Sequence, residues 1–138
     1  MAKAENRLQL MKRLGAKQLN TVWSWCAVDE ENRKVYFSAW IDLKGKKDGK
    51  VYYILQEPDW GIDVLTGQAS PARNDHDDKF DLVFNHGYTP YAYFIEAEDT
   101  GANPRSIKNI KTSFIFSLDL EILEDGMIIG YPKERIEI

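Results

Sequence analysis

The sequence has few of the residues that crosslinking and metal binding require, and no long apolar segment. It contains one cysteine, Cys26, and two histidines, His76 and His86, among 138 residues. A single cysteine cannot form an internal disulfide, and its place among strand residues indicates a small buried side chain. No apolar run approaches the roughly 20 residues that cross a bilayer, and residues 1–5 lack the apolar core of a signal peptide. We therefore exclude membrane and secreted proteins and expect a cytoplasmic one.

Catalytic and cofactor motifs are also missing. No serine lies in a nucleophile elbow, and residues 45–50 contain glycines without the spacing or the following helix of a phosphate loop. The two histidines belong to no zinc motif. The acids beside His76, Asp75 and Asp77, are interpreted as residues of a helix start, where carboxylates are favoured. We predict no metal ligands, no cofactor and no catalytic residues, and expect that the protein is not an enzyme.

The charge balance limits the partners. The chain has 18 Lys and Arg against 22 Asp and Glu, a net charge of −4. This balance argues against nucleic-acid binding by bulk attraction, so any such contact needs a local basic patch. Basic residues do cluster in three segments, at 3–17, 44–50 and 105–111. Four residues of the last two clusters are predicted to contact phosphates: Lys46, Lys47, Arg105 and Lys108.

Aromatic residues are concentrated in two adjoining segments, 22–28 and 35–42, which are predicted to be strands. Alternation along a strand places Trp23 and Trp25 on one face. Two large rings on one face are either core residues or a surface on which a planar ligand such as a nucleobase stacks. The sequence leaves both alternatives open. The candidate stacking residues are the four tryptophans: Trp23, Trp25, Trp40 and Trp60.

The hydrophobic pattern predicts one α+β domain, a mostly antiparallel sheet of about five to six strands with two helices. The first helix, residues 4–14, ends at Gly15, and the second begins at Asn74 or Asp75 and ends before Gly87. Strands are predicted at 21–28, 34–42, 50–55, 91–97, 112–116 and 127–131, and residues 118–124 fit a strand or a short helix. Within the domain, 1–18 is a basic N-terminal helical segment, 19–131 holds the sheet and second helix, and 132–138 is a tail.

Several landmarks resemble a family of small domains found N-terminal to HNH-type endonucleases in bacterial restriction-like systems. That family has a W-S-W-G-A opening followed by V-x-F-x-x-W-x-D, and here the segments 23–27 and 35–42 match, with Cys26 in place of glycine. A later P-R-x-I segment matches residues 104–107. The resemblance implies recognition of DNA, which can carry modified bases. The chain shows no HNH module after the domain, so cleavage is expected either to come from a partner such as a nuclease or to be absent.

Three functions remain open from the sequence. The leading hypothesis is a non-catalytic DNA-recognition or defence-associated module, whose ligand includes modified DNA. The second is a protein-interaction module, an inhibitor or adaptor whose acidic surface meets a basic partner. The third is a small-ligand-binding protein or enzyme with a pocket lined by Trp60, Tyr52, Asp63 and Arg73.

Overall fold

The computed structural model describes residues 6–20, 24–101 and 106–138. Over these ranges it contains two helices and eight strands. In chain order they are α1 (Arg7–Leu14), β1 (Ala27–Asp29), β2 (Lys34–Trp40), β3 (Lys44–Lys47), β4 (Lys50–Gln56), α2 (Pro71–His86), β5 (Thr89–Ala97), β6 (Ile107–Ile110), β7 (Phe114–Ile122) and β8 (Ile128–Glu137). The predicted α+β class is confirmed.

All eight strands form one open sheet. Seven of them follow the order β1-β2-β5-β7-β8-β4-β3. The eighth, β6, pairs with the C-terminal part of β5, whereas β7 pairs with residues nearer the start of β5. Every described pairing is antiparallel except that of β2 with β5. Parallel neighbours need a long crossover connection, and here β3, β4 and α2 supply it. The mostly antiparallel character was predicted, whereas the parallel central pair was not.

The sheet is buried on both faces at β2. Val35, Phe37 and Ala39 point to one side and pack in a cluster with Phe80 of α2. Tyr36 points to the other side and belongs to a second cluster, which includes Leu10 and Met11 of α1. Successive strand side chains alternate between faces, so the nearly continuous apolar run of β2 follows from having one helix on each side.

Both helices carry clear end signals. In α1, the side chain of Asn6 accepts from Gln9 N and the side chain of Gln9 accepts from Asn6 N, which is a capping box, and Gly15 ends the helix with φ 74°. The predicted end at Gly15 is confirmed. In α2, Ser70 Oγ accepts from Arg73 N at 3.1 Å, and Pro71 occupies the first turn. The predicted start at Asn74 or Asp75 is therefore wrong by one turn, because Ser-Pro provides the cap.

The strand count exceeds the predicted five to six. The extra strands include β3 and β6, both short and polar. Of the strand predicted at 21–28, residues 21–23 lie outside the described residues, and residues 24–26, which include Trp25, precede β1. Residues 118–124 resolve as strand through Ile122. β8 runs to Glu137, so most of the predicted tail is a strand that pairs with β7.

Candidate nucleic-acid interface

The residues 44–50 form a two-stranded ribbon at one end of the sheet. β3 pairs with β4 so that Lys46 lies opposite Val51 and Lys47 lies opposite Lys50. The turn residues Asp48 and Gly49 have φ of 53° and 78°, which is the geometry of the tight turns that hairpin twist favours. We call residues 44–50 the lysine ribbon. The sequence pattern predicts a loop here, and the strand β3 within it was not predicted.

The lysine ribbon presents positive charge from an edge. β3 is the last strand in the sheet order, and the side chains of Lys44, Lys46 and Lys50 are exposed. Within the described part of the chain, these three amines have no acidic partner, whereas Lys47 binds Glu121. Lysines on an edge strand hinder the addition of another strand. The lysines thus disfavour pairing of a further strand with β3, and their positive charge favours an anionic ligand at this edge.

The tryptophans predicted to stack on bases do not form one surface. Trp23 lies outside the described residues. Trp25 and Trp40 lie against each other, with ring centroids 5.9 Å apart, and both pack on the cluster beneath α1. The guanidinium of Arg7 lies 4.6 Å from the centre of the Trp25 ring. Trp60 lies beside α2, on the opposite side of the sheet, with its ring 4.5 Å from that of His76.

The other predicted phosphate contacts lie apart from the ribbon. Lys108 is on β6, and its amine is 4.0 Å from a carboxylate oxygen of Glu96. The same glutamate has Lys111 at 3.9 Å, so one acid offsets part of this positive group. Arg105 lies outside the described residues. Of the three predicted residues that the structure describes, Lys46 and Lys47 lie together on β3, and Lys108 lies on β6.

A hydrogen-bonded chain that the sequence did not indicate links α2 to the end of β4. His76 Nδ1 lies 3.1 Å from Gln56 Oε1, and Gln56 Nε2 donates to Asp77 Oδ1 at 3.1 Å. Asp77 also accepts from Arg73 Nε at 3.1 Å. Burial lowers the pKa of His76 to about 4, so the ring is neutral at pH 7, and its Nε2 has no hydrogen-bond partner. Neither the register of β4 nor this burial can be read from local sequence.

A second buried polar group adjoins Cys26. Lys79 Nζ donates to Asp75 Oδ1 at 2.6 Å, and the other oxygen of Asp75 has no partner. Burial, with the charge of Asp75 as a second cause, raises the pKa of the Cys26 thiol well above its usual value. A thiol reacts as the thiolate, so this environment opposes a nucleophilic role.

An open cleft of about 470 Å³ lies between the loop after α1 and the β1–β2 turn. Its lining combines charges of both signs, from Lys17 and Lys79 and from Asp29, Glu30 and Glu31. The pocket proposed from sequence does not coincide with it. Tyr52 packs instead against Tyr131, with ring centroids 6.2 Å apart.

Within the described ranges, no group of three or more His, Cys, Asp and Glu side chains is arranged to hold a metal ion. The helices of these ranges also include none with the length and apolarity to cross a membrane. Comparison of the chain with protein-family models, with curated proteins and with solved structures finds no match.

Proposed function

We propose that this chain is a non-catalytic DNA-recognition module that holds duplex DNA through its lysine ribbon. The observation that carries the proposal is the ribbon itself, an edge hairpin of mostly exposed residues with three unpaired lysines within seven residues. The major groove of B-DNA admits a two-stranded β-ribbon. Lysines on such a ribbon reach the phosphates that flank the groove.

The distribution of charge supports a local contact. The whole chain is negative, at −4, so DNA is repelled from most of the surface and attracted at the ribbon. The alternating strand geometry places Lys44 and Lys46 on one face and Lys47 on the other. Lys47 is bound to Glu121, but Lys50 lies opposite it on that second face, so each face of the ribbon carries at least one unpaired lysine toward a wall of the groove. Lysine acts as a point charge on phosphate, so the ribbon contributes affinity and orientation rather than sequence readout.

In this proposal, Trp25 and Trp40 have a structural role and do not stack on bases. Because Trp25 and Trp40 pack on each other and on the core, they support the fold beneath α1. Base stacking by exposed aromatics is therefore not required for the contact that the ribbon makes. The resemblance to domains that accompany HNH-type endonucleases points to the same class of ligand.

Fluorescence anisotropy with a labelled 20-base-pair duplex tests the proposal. Three phosphate contacts predict that the logarithm of affinity falls with the logarithm of salt concentration with a slope of about −2.7, so binding weakens about 40-fold from 50 to 200 mM salt. The variant Lys46→Ala is expected to reduce that slope by about 1, because one phosphate contact is lost. Its stability should stay within about 0.5 kcal/mol of the wild type, since the side chain is exposed.

Lys12→Ala is the matched control. Lys12 is exposed in the last turn of α1, which packs near the end of the sheet opposite the ribbon, and its removal changes the net charge by the same amount. The slope for this variant should equal that of the wild type. Affinity that does not change with salt, or equal losses in both variants, would contradict binding through the ribbon.

A further inference from the structure

Two apolar side chains project from the loop between β4 and α2. Val64 is 94% exposed and Leu65 is 92% exposed, the highest values among the exposed large apolar residues of the described chain. We call these two residues the apolar tip. Single exposed apolar residues are common on protein surfaces, but two adjacent ones at the end of an ordered loop present an uncovered apolar surface to solvent.

The loop holds the apolar tip in a fixed turn. Asp63 Oδ1 accepts from Leu65 N at 2.8 Å and from Thr66 N at 3.0 Å, and Gly67 N donates to Asp63 O at 2.8 Å. Below this turn, Ile62 and Ala69 form an antiparallel bridge. The hydrogen bonds to its side chain lower the pKa of Asp63, which keeps the carboxylate charged. The tip is thus presented on an ordered turn, and less conformational entropy is lost when it binds.

Arg73 fixes the base of the loop to α2. Its Nη1 donates to the carbonyl oxygens of Pro58 at 3.0 Å and Trp60 at 2.6 Å, while Nε binds Asp77. Gly61 lies so close that a Cβ there would come within 2.7 Å of Arg73 Cβ. These contacts use the Nε and Nη1 donors of Arg73 within the chain.

The surroundings of the apolar tip are acidic. Glu57 and Asp59 are exposed and have no cationic partner among the described residues. Asp63 is held charged by its own turn, and the charge of Arg73 is offset by Asp77. Negative charge around an apolar projection complements an apolar pocket with a basic rim, and repels an anionic lipid surface.

We propose that the apolar tip docks in an apolar pocket with a basic rim on a second protein. Val64 and Leu65 fill the pocket, and Glu57, Asp59 and Asp63 face its Lys and Arg side chains. Central apolar side chains surrounded by polar groups are the usual arrangement of residues that dominate an interface. This surface is separate from the lysine ribbon, so the inference does not depend on DNA binding.

Photo-crosslinking identifies the occupant. The full chain carrying p-benzoylphenylalanine at position 65 is irradiated in extract of the source cells, beside a chain with the same residue at the exposed position 133. The expected result is a protein adduct at position 65 that is absent at 133. An adduct only with a second copy of this chain, an adduct only with lipid, or no specific adduct would overturn the proposal.

The crosslinked protein is then purified and its affinity for the chain is measured by calorimetry. Val64→Ser with Leu65→Ser is expected to weaken binding at least about 100-fold, since two apolar side chains lose their buried contacts. Ile122→Ser, at a 54% exposed apolar residue elsewhere, serves as the control and should leave affinity unchanged. The adduct should map to a segment that contains Lys or Arg, and added salt should weaken binding. Equal affinity of the double variant and the wild type would refute docking through the tip.

Discussion

Replacing Phe80 with alanine is expected to lower the free energy of unfolding by about 3–5 kcal/mol, the usual cost of deleting a buried phenyl ring. Phe80 is 3% exposed and stacks on Phe37 of β2, with ring centroids 4.5 Å apart and planes 10° from parallel. The ring joins α2 to the centre of the sheet, so its loss opens a cavity that neither element can close alone. Small domains have about 5–15 kcal/mol of stability in all, and the variant should unfold at markedly lower urea concentration.

Phe84, one turn later in the same helix, provides the matched control. It is 40% exposed, so Phe84→Ala removes the same ring from a site already in contact with water. We expect a loss below about 1 kcal/mol. Urea unfolding followed by circular dichroism compares the two variants. Similar losses at both positions would mean that α2 is not fixed to the sheet through Phe80.

Local sequence identified the structures that depend on local interactions. Gly15 and Gly87 end the two helices as predicted, because a residue with positive φ at a helix end favours glycine wherever it occurs. The hydrophobic pattern also predicted the second helix, apart from its first turn. It gave no information on which of the rings of Phe80 and Phe84 is buried, since that depends on where α2 crosses β2.

Features that depend on pairing over long distances were missed. The parallel pair of β2 and β5 arises between segments some 50 residues apart, and no turn signal marks it. β3 was not predicted because Lys44, Lys46 and Lys47 are not typical strand residues, and its partner β4 supplies the apolar content. The strand was expected to include Trp25 because of the aromatic residues in this segment, whereas Trp25 packs on Trp40 and Arg7 and precedes the start of β1.

In the candidate sites, too, features that depend on local sequence were predicted and features that depend on long-range contacts were not. The density of lysine at residues 44–50 was visible in the sequence, and it is this segment that forms the ribbon. The bond between Lys47 and Glu121 and the proximity of Lys108 to Glu96 bring together residues from different strands, so the sequence did not separate neutralised amines from unpaired ones. The apolar tip was not predicted, because the sequence does not show whether Val64 and Leu65 are buried or exposed.

The stability of the wild-type protein is expected to fall by about 2 kcal/mol from pH 7 to pH 5 because of His76. Burial lowers the pKa of this side chain from 6.5 to about 4 in the folded protein. Between these two values the unfolded chain binds a proton that the folded chain does not, so acidification favours unfolding. The stability that the neutral ring contributes is complete above pH 6.5 and is lost as the pH falls toward 4.

The physical reason lies in the contacts of the ring. His76 Nδ1 donates to Gln56 Oε1, and the ring packs between Trp60 and Phe80. A proton on Nε2 would create a buried charge at an atom that has no hydrogen-bond partner. The charges of Asp75 and Asp77 favour the proton, but the cost of burial exceeds their effect.

Urea unfolding at pH 7, 6 and 5 measures this dependence in the wild type, His76→Asn and His86→Asn. Asparagine at position 76 keeps an N–H donor for Gln56 and has no proton to gain. The variant should be less stable than the wild type at every pH, because the ring is lost. From pH 7 to pH 5, however, its free energy of unfolding should fall by about 2 kcal/mol less than that of the wild type. His86 is exposed, and its replacement should retain the wild-type dependence. Parallel pH profiles for the wild type and His76→Asn would contradict the prediction, because they would show that the ring is protonated in the folded protein as readily as in the unfolded chain. The hydrogen-bonded chain from His76 through Gln56 to Asp77 would then not depend on a neutral histidine.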